Sequence, residues 1–144
     1  MSENLKLENQ VCFPIYNLAK EVIGQYRPIL AELDLTYSQY LVMLVLWEQG
    51  EQNVSEIGSL LNLDSGTLTP LLKRLENKKL IERKRKATDE RVVSITLTKE
   101  GKEKQKLAEC IPTKIGEALN IPTEDLLELK TIIEKIVTQI NKTK

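Results

Sequence analysis

The 144-residue sequence predicts a mainly α-helical chain with one small β-hairpin. Over most of its length, apolar residues recur at spacings of three and four, which is the periodicity of amphipathic helices. Between Val92 and Leu97 they alternate with polar residues instead, as in a half-buried strand. The length and a hydrophobic fraction of 41% are those of a globular chain, so residues 1–144 are expected to fold as a single domain.

The first third of the chain predicts two helices. Apolar positions predict a long amphipathic helix over about residues 8–32, whose last turns Pro28 is expected to bend or weaken. Thr36 and Gln39 have the spacing of a capping box, and the helix that they open ends near Gly50. This second helix is apolar all round, so it is expected to be central and buried.

Two shorter helices follow, with only a two-residue turn between them. Asn53 opens the first and Asp64 caps the second. Helices joined by so tight a turn indicate a helix-turn-helix. Strand candidates at 80–85 and 92–97 come directly after it and predict a hairpin wing, so residues 34–97 are expected to form a winged helix-turn-helix.

The C-terminal part predicts two further helices, separated by a stretch that proline and glycine interrupt. Thr98 caps a Lys/Glu-rich helix that reaches about Glu109, and Thr123 caps the last one. The last helix has a narrow apolar stripe that suits pairing with another helix, although packing within one chain is the alternative. Because both terminal parts carry apolar faces, we expect residues 1–33 and 98–144 to form the helical interface of a homodimer.

Composition excludes several classes of function. Histidine is absent, which excludes Ser-His-Asp and Cys-His catalysis and zinc fingers of the Cys/His type. Two cysteines, Cys12 and Cys110, cannot make a four-thiolate metal site. We therefore expect no metal, no cofactor and no enzymatic activity. No apolar run is long enough to cross a bilayer and the N-terminus is polar, so we expect a cytoplasmic protein with no membrane partner.

Charged residues are strongly segregated although the net charge is zero. Residues 73–106 contain 13 Lys/Arg and 6 Asp/Glu, whereas the rest of the chain contains 8 and 15. A solvated surface is the usual meaning of such a charge run. Here the basic block coincides with the helix-turn-helix and its hairpin, which indicates that it contacts double-stranded DNA.

The candidate DNA-contacting residues lie on the second helix of the helix-turn-helix and on the hairpin. Small and hydroxyl-bearing residues let a helix N-terminus approach phosphates and base edges, and basic side chains add charge. The helix supplies Ser65, Gly66, Thr67, Thr69, Pro70, Lys73 and Arg74, and the hairpin supplies Arg83, Lys84, Arg85, Lys86, Asp89 and Arg91. Asp89 is expected to hold the Arg91 guanidinium by a bidentate contact.

These motifs resemble a known family. The segment from Leu63 to Glu76, followed by Asp89-Glu-Arg91 and Leu97-Thr-Lys-Glu-Gly101, is similar to the MarR family of winged helix-turn-helix repressors. The segments 9–16 and 35–47 narrow the resemblance to the OhrR-like repressors, which sense organic hydroperoxides through a cysteine near the start of the first helix.

The resemblance implies an interleaved α-helical dimer, in which the first and last helices of the two subunits interleave. Such a homodimer binds an inverted-repeat operator and takes organic hydroperoxide as its signal. It implies that Cys12 is the redox-sensing thiol, and that Tyr26 and Tyr37 donate hydrogen bonds to its sulfur, partly from the other subunit. Tyr16 matches a further tyrosine of the pocket. Some OhrR-like proteins have a second cysteine near the C-terminal helices, so Cys110 is a candidate to resolve oxidised Cys12 as a disulfide between subunits.

The residues themselves leave the role of Cys12 open. A thiol reacts as its thiolate, which a helix N-terminus or hydrogen-bond donors stabilise. A free cysteine is more often a small buried hydrophobe, and spacing supports the two interpretations about equally. Two alternatives to a redox-switched repressor follow: a MarR-type repressor released by a small aromatic ligand, with Cys12 incidental, and a thiol peroxidase. The latter is disfavoured because no histidine partner exists for the thiol.

Overall fold

The computed structural model describes residues 2–144 and has, within them, seven α-helices and one three-stranded sheet. The helices are α1 (Phe13–Ala31), α2 (Tyr37–Gln49), α3 (Val54–Leu61), α4 (Ser65–Asn77), α5 (Lys99–Ala108), α6 (Ile111–Leu119) and α7 (Thr123–Lys142). The strands are β1 (Gln52–Asn53), β2 (Ile81–Lys86) and β3 (Asp89–Leu97). This order confirms the predicted winged helix-turn-helix, with α3 and α4 as its two helices and β2–β3 as its wing.

Most of the hydrophobic core lies in the winged helix-turn-helix, and Leu30, Ala108 and Ile111 extend it to α1, α5 and α6. The second helix is central, as predicted, although its Leu44 side chain is partly exposed. The leucines of α4 all face inward and leave the opposite side of that helix to solvent. The side chains that are fully buried here include Met43, Leu46, Ile57, Leu68, Leu72, Leu75 and Ile95.

Four of the five predicted helix caps are confirmed. The side chains of Thr36, Asn53, Asp64 and Thr98 each accept a hydrogen bond from the backbone N–H three residues later. The fifth prediction is wrong, because α7 begins at Thr123 itself and is preceded by Pro122, with no side-chain cap.

The first helix begins five residues later than predicted. Residues 3–5 and 7–9 form two separate 3₁₀ turns, with extended backbone at Lys6 between them. The side-chain amides of Asn9 and Gln10 donate to the carbonyls of Glu3, Asn4 and Lys6. These local bonds offer the backbone an alternative to the helix, which the apolar periodicity does not reveal. Pro28 lies within α1 and does not end it.

The helix α6 is absent from the sequence prediction, because Pro112 and Gly116 are residue types that commonly interrupt helices. Pro112 lies in its first turn, where a helix needs no N–H from the backbone. The helix continues through Gly116, where an added Cβ would have nothing within 4 Å of it. The C-terminal half therefore has three helices instead of two.

The wing is an antiparallel hairpin in which β2 and β3 pair from Ile81–Leu97 to Lys86–Asp89, with a register shift after Arg85. Its second strand starts three residues before the predicted Val92. The two-residue strand β1 pairs with Ser94 and Ile95 on the other side of β3. It is too short and polar to show a periodicity.

The terminal helices are only partly packed within one chain. α1 packs against α6, and the Lys114 ammonium of α6 lies 2.9 Å from the Glu32 carboxylate at the end of α1. The apolar stripe of α7 is exposed, as are large apolar residues in the first turns of α1. These residues include Phe13, Ile15, Leu18, Leu129, Ile133, Ile136 and Ile140. Such contiguous apolar faces are typical of surfaces that a partner covers. In residues 2–144 no helix combines the length and the apolarity that a bilayer span requires.

Candidate nucleic-acid interface and thiol site

The outer face of α4 has the properties of a recognition helix. All seven residues predicted on it are exposed, from Ser65 to Arg74. Asp64 fixes the start of this helix by accepting a hydrogen bond from the Thr67 N–H at 2.7 Å. That backbone bond is the main cause that lowers the pKa of the Asp64 carboxyl. Pro70 lies inside α4, which continues through it to Asn77. The face is therefore rigid and free to approach DNA.

Arg91 stands at the wing in a fixed orientation. Its Nε and Nη2 atoms donate to the two carboxylate oxygens of Asp89 at 3.1 and 3.3 Å, which confirms the predicted bidentate contact. These bonds lower the pKa of Asp89. The Arg91 side chain is 91% exposed all the same. A cation that is oriented and yet open to solvent suits the recognition of a phosphate or a minor groove.

The other basic residues of the hairpin differ in their surroundings. Lys84 and Lys86 are exposed, and Arg85 donates to the Glu90 carbonyl at 2.8 Å. Arg83 turns inward instead and donates from Nη2 to the Glu76 carboxylate of α4 at 3.0 Å. Its contact with DNA stays a prediction, and the geometry gives it the additional role of tying the wing to α4.

A groove of about 570 Å³ lies between α4, the wing and the start of α3. Four basic residues line it: Lys73, Arg83, Arg85 and Arg91. Its other polar lining residues are Asn53, Ser55 and Thr69. Asn53 and Ser55 are not predicted as site residues, because only the fold brings the start of α3 beside the wing. The groove forms a continuous positive surface with the exposed face of α4.

Both cysteines occupy the same kind of position. Cys12 directly precedes α1 and Cys110 directly precedes α6, each with a proline at the second residue of the helix. Both are free and exposed. Each thiol therefore lies beside the partial positive charge of a helix N-terminus. The Cys110 thiol donates to the Leu107 carbonyl at 3.4 Å.

Lys114 lies one helical turn after Cys110, so its ammonium is a positive charge near the Cys110 thiol. Its hydrogen bond to Glu32 raises the pKa of the Lys114 ammonium, and the nearby Cys110 thiol contributes to the same shift. Cys110 thus lies at a helix N-terminus and has an ammonium one helical turn away.

The aromatic residues form a connected cluster. The rings of Tyr26 and Tyr37 are 4.8 Å apart, and both lie within 6.4 Å of the Tyr40 ring. Burial, followed by the neighbouring Tyr37 and Tyr40, raises the pKa of Tyr26, so its phenol stays protonated and can donate. Tyr40 is not among the predicted site residues, and its position at the centre of the cluster is set by the packing of α2 on α1.

Tyr16 lies apart from this cluster. It is on the first turn of α1, where its backbone N–H donates to the Cys12 carbonyl at 3.3 Å, and its side chain is 61% exposed. The Lys20 ammonium lies 5.0 Å from the centre of its ring. Of the three predicted pocket tyrosines, only Tyr16 is thus close to Cys12 along the same helix.

One chain does not bring Cys12 to the tyrosine cluster. Cys12 and Tyr26 are 14 residues apart on α1, a separation of about 21 Å at 1.5 Å per residue. An apolar groove of about 410 Å³ beside Tyr37 has room for a few side chains, and Arg27 contributes a cation to its lining. Arg27 is also missing from the sequence prediction, because nothing in its spacing connects it with Tyr37.

One chain does not bring the two cysteines together either. Glu32 lies 20 residues after Cys12, about 30 Å along α1, and Lys114 pairs with it. Allowing about 11 Å for the two extended side chains, the 2.9 Å between their charged atoms and about 6 Å for the turn back to Cys110 leaves at least about 10 Å between the cysteines. A disulfide needs a Cα separation below about 7 Å. A disulfide between them within one subunit is therefore excluded in this conformation.

Comparison with known proteins agrees with this geometry. The family model described as transcriptional regulator SarA/Rot matches residues 25–107, more than half of the chain. The organic hydroperoxide resistance transcriptional regulator of Bacillus subtilis is 43% identical over 140 residues, which cover 97% of this chain and 95% of that protein. Such relatives are regulators and belong to a non-enzymatic family.

Solved structures of AbfR, a Staphylococcus epidermidis protein, show the same fold. Overoxidized AbfR bound to DNA superposes with a TM-score of 0.80 at 37% identity, covering 99% of this chain and 98% of that chain. Disulfide-formed AbfR covers 97% and 93% at 38% identity, but with a TM-score of only 0.63. This chain is thus closer in conformation to the DNA-bound form, and it belongs to the SarA/Rot type of MarR-like winged-helix transcriptional regulators.

Proposed function

We propose that this protein is a cytoplasmic, homodimeric repressor that binds an inverted repeat in double-stranded DNA and leaves it when an organic hydroperoxide oxidises Cys12. The single observation that carries the proposal is the exposed Cys12 thiol at the N-terminus of α1, in a chain whose α4 and wing present a DNA-binding surface. The organic hydroperoxide signal rests on the 43% identity to the Bacillus regulator.

DNA binding rests on α4 and the wing. The exposed hydroxyl and basic side chains of α4 lie on one face, and Arg91 is oriented by Asp89 beside it. In a dimer, two such surfaces read two half-sites whose spacing must match the distance between the two recognition helices. We assign residues 34–97 to this lobe, and residues 1–33 and 98–144 to the dimer interface that sets the spacing.

The first chemical step is a two-electron oxidation of Cys12. Its thiolate attacks the terminal oxygen of the hydroperoxide, a sulfur–oxygen bond forms and the peroxide oxygen–oxygen bond breaks. The leaving alkoxide takes a proton and departs as the alcohol, and Cys12 becomes a sulfenic acid. Phenols that remain protonated, such as Tyr26, are suitable donors to the thiolate and to the departing oxygen.

Those donors come from the other subunit. The separation of about 21 Å along α1 keeps Cys12 away from Tyr26 of its own chain. The apolar groove beside Tyr37 is open to a second chain, and its Arg27 adds positive charge that suits a thiolate. We therefore place Cys12 of one subunit in this groove of the other.

Cys110 of the partner subunit completes the switch. Its thiol attacks the sulfenic sulfur of Cys12, and a sulfur–sulfur bond forms as the sulfur–oxygen bond breaks. The hydroxyl of the sulfenic acid takes the proton of the thiol and leaves as water. The Lys114 ammonium lies one helical turn from Cys110 and adds positive charge beside the thiol. Bringing the cysteines within disulfide distance moves the terminal helices, and a relative already has a disulfide form with a different conformation. Such a movement separates the two recognition helices from their half-sites.

A second function is favoured by one observation. A groove of about 420 Å³ is lined by Tyr40, Leu44 and Trp47 together with Glu48 and residues of α5 and α6. Aromatic walls of this kind suit a small aromatic ligand, which would release the repressor while Cys12 is incidental.

The test combines DNA binding with a non-reducing gel. Reduced protein is titrated onto promoter DNA with an inverted repeat, and one equivalent of cumene hydroperoxide per subunit is added. Cys12→Ser and Cys110→Ser serve as a matched pair. The proposal expects release with a covalent dimer in the wild type, reversal by dithiothreitol, and no release from Cys12→Ser.

The other outcomes separate the parts of the proposal. Release without cross-linking, retained in Cys110→Ser, removes Cys110 from the switch and leaves Cys12 as the sensor. No release by peroxide, or an undiminished response in Cys12→Ser, replaces the redox switch by the ligand-released repressor. Consumption of many equivalents of peroxide per subunit points to a peroxidase.

A further inference from the structure

An ion pair joins the recognition helix to the wing. Glu76 lies in the last turn of α4, and Arg83 lies in β2. Arg83 Nη2 donates to Glu76 Oε1 at 3.0 Å, with 25% of the Arg83 side chain and 37% of the Glu76 side chain exposed. The bond to Arg83 lowers the pKa of the Glu76 carboxyl, and the charge of Lys73 adds to that effect. The pair is therefore ionised at neutral pH and partly sheltered from water.

The arginine of this pair belongs to the wall of the basic groove. Arg83 lines the groove together with Lys73, Arg85 and Arg91. Within residues 2–144, Glu76 is the carboxylate bonded to Arg83, whose Nε atom is buried and has no acceptor. Arg91 is also paired with a carboxylate but stays 91% exposed, whereas the charge of Arg83 is neutralised in a position partly sheltered from water.

We propose that Glu76 is a specificity-determining residue. It holds Arg83 in the wall of the groove and cancels its charge, so that the groove attracts DNA of any sequence less strongly. This inference goes beyond the redox switch, because it concerns the discrimination between operator and other DNA. It does not depend on either cysteine.

Charge affects operator binding and sequence-independent DNA binding to different extents. Sequence-independent affinity comes from phosphates that Lys and Arg neutralise, and each contact adds about 0.9 to the salt slope. Arg83 paired with Glu76 contributes no such contact. The operator complex depends in addition on base contacts from α4, which Glu76 does not affect. Glu76 therefore lowers non-specific binding more than operator binding.

The experiment measures the full-length reduced protein on two duplexes, one with the inverted repeat and one of scrambled sequence, between 50 and 200 mM salt. Glu76→Gln keeps an amide oxygen that can accept from Arg83 and removes the charge. On scrambled DNA we expect tighter binding, with a salt slope steeper by about 0.9 per subunit. The advantage over the wild type then grows about 3.5-fold per subunit as salt falls from 200 to 50 mM. The preference for the inverted repeat decreases accordingly.

Two further variants distinguish a charge effect from a structural one. Glu82→Gln removes a carboxylate of the same strand that lies 4.0 Å from Lys84. Because both of these side chains are exposed, water already screens their pairing, and the variant is expected to leave the slope unchanged. The double variant Glu76→Gln/Arg83→Gln is expected to restore the wild-type slope, because both charges are gone.

Three results overturn the proposal. The first is an unchanged slope in Glu76→Gln. The second is equal weakening on both duplexes together with a lower urea midpoint, which means that the pair only supports the fold. The third is a slope in the double variant that is shallower than the wild type by about 0.9 per subunit, which means that Arg83 contacts a phosphate directly.

Discussion

Replacing Gly101 by alanine tests how closely α5 is packed against the base of the wing. A Cβ atom at this position would overlap the carbonyl oxygen of Leu80 and lie 3.2 Å from Leu97 Cδ2. The Leu80 carbonyl is fixed, because it accepts the Thr98 N–H at 3.1 Å. The helix therefore has to retreat by about 1 Å to reach ordinary van der Waals separation. This close approach is the physical reason for glycine at the end of the segment Leu97-Thr-Lys-Glu-Gly101.

Two contributions add to the cost of that retreat. Forcing an extra methyl group into packed surroundings typically costs about 1–3 kcal/mol. The Trp47 indole N–H donates to the Gly101 carbonyl at 2.9 Å, and a net loss of this bond costs about 1 kcal/mol. Gly101→Ala is thus expected to lower the free energy of unfolding by about 2–4 kcal/mol, a large part of the 5–15 kcal/mol typical of a domain.

The assay is urea unfolding at a fixed protein concentration, because stability and dimerisation are linked. Trp47 is the single tryptophan of the chain and sits at the altered contact, so its emission reports the change locally. The control is Gly116→Ala in α6, where nothing lies within 4 Å of the new Cβ and alanine is expected to stabilise by about 0.5–1 kcal/mol. The reasoning is refuted if Gly101→Ala unfolds at the wild-type midpoint with unchanged Trp47 emission.

Four further predictions address DNA binding, oxidation and pH. Lys73→Ala should weaken DNA binding and reduce the salt slope by about 1 if its ammonium meets one phosphate, and an unchanged slope in anisotropy titrations would contradict its placement on the backbone. Arg91→Ala should weaken operator binding without altering peroxide-induced release, and Asp89→Ala should act in the same direction but less, since it removes only the group that orients Arg91; equal affinities in all three proteins would exclude this role. Tyr37→Phe should slow the oxidation of Cys12 by peroxide while reduced-state DNA affinity stays at the wild-type value, and identical stopped-flow rates would remove the phenol from the switch. Because the pKa of Asp64 is lowered on folding, its cap stabilises α4 at pH values above the usual aspartate pKa of about 3.9, and this stabilisation is lost as pH falls through the lower folded pKa. Asp64→Asn should therefore show less acid destabilisation when unfolding is followed by circular dichroism.

Local signals account for most of the elements that the sequence predicts correctly. A capping residue and the backbone N–H that it satisfies lie within four positions of each other, as with Thr36, Asn53, Asp64 and Thr98. The same holds for the carboxylate of Asp89, which reaches a guanidinium two residues away. Such features depend on the neighbouring residues and not on the fold, so the sequence contains them in full.

The errors occur where local signals compete or where the fold decides. Amide side chains at Asn9 and Gln10 outcompete the helical periodicity before Cys12. Pro112 has the character of an interruption, although its place in a first turn permits a helix. Arg83 looks like any other basic residue of the hairpin, and only the packing of β2 on α4 reveals Glu76 beside it. Interactions of this kind join residues whose separation in sequence has no characteristic pattern.

In the proposed switch the redox site depends on the second subunit, for a reason that one chain already contains. Cys12 directly precedes α1 and Tyr26 lies 14 residues further along it, and α6 with Cys110 is tied to the far end of α1 by Lys114 and Glu32. Each chain therefore has Cys12 at one end of α1 and the phenols and Cys110 toward the other. An antiparallel approach of two α1 helices brings opposite ends together and completes two sites at once. Oxidation in such an arrangement acts directly across the interface that sets the spacing of the recognition helices, so no separate relay to the DNA-binding lobe is required.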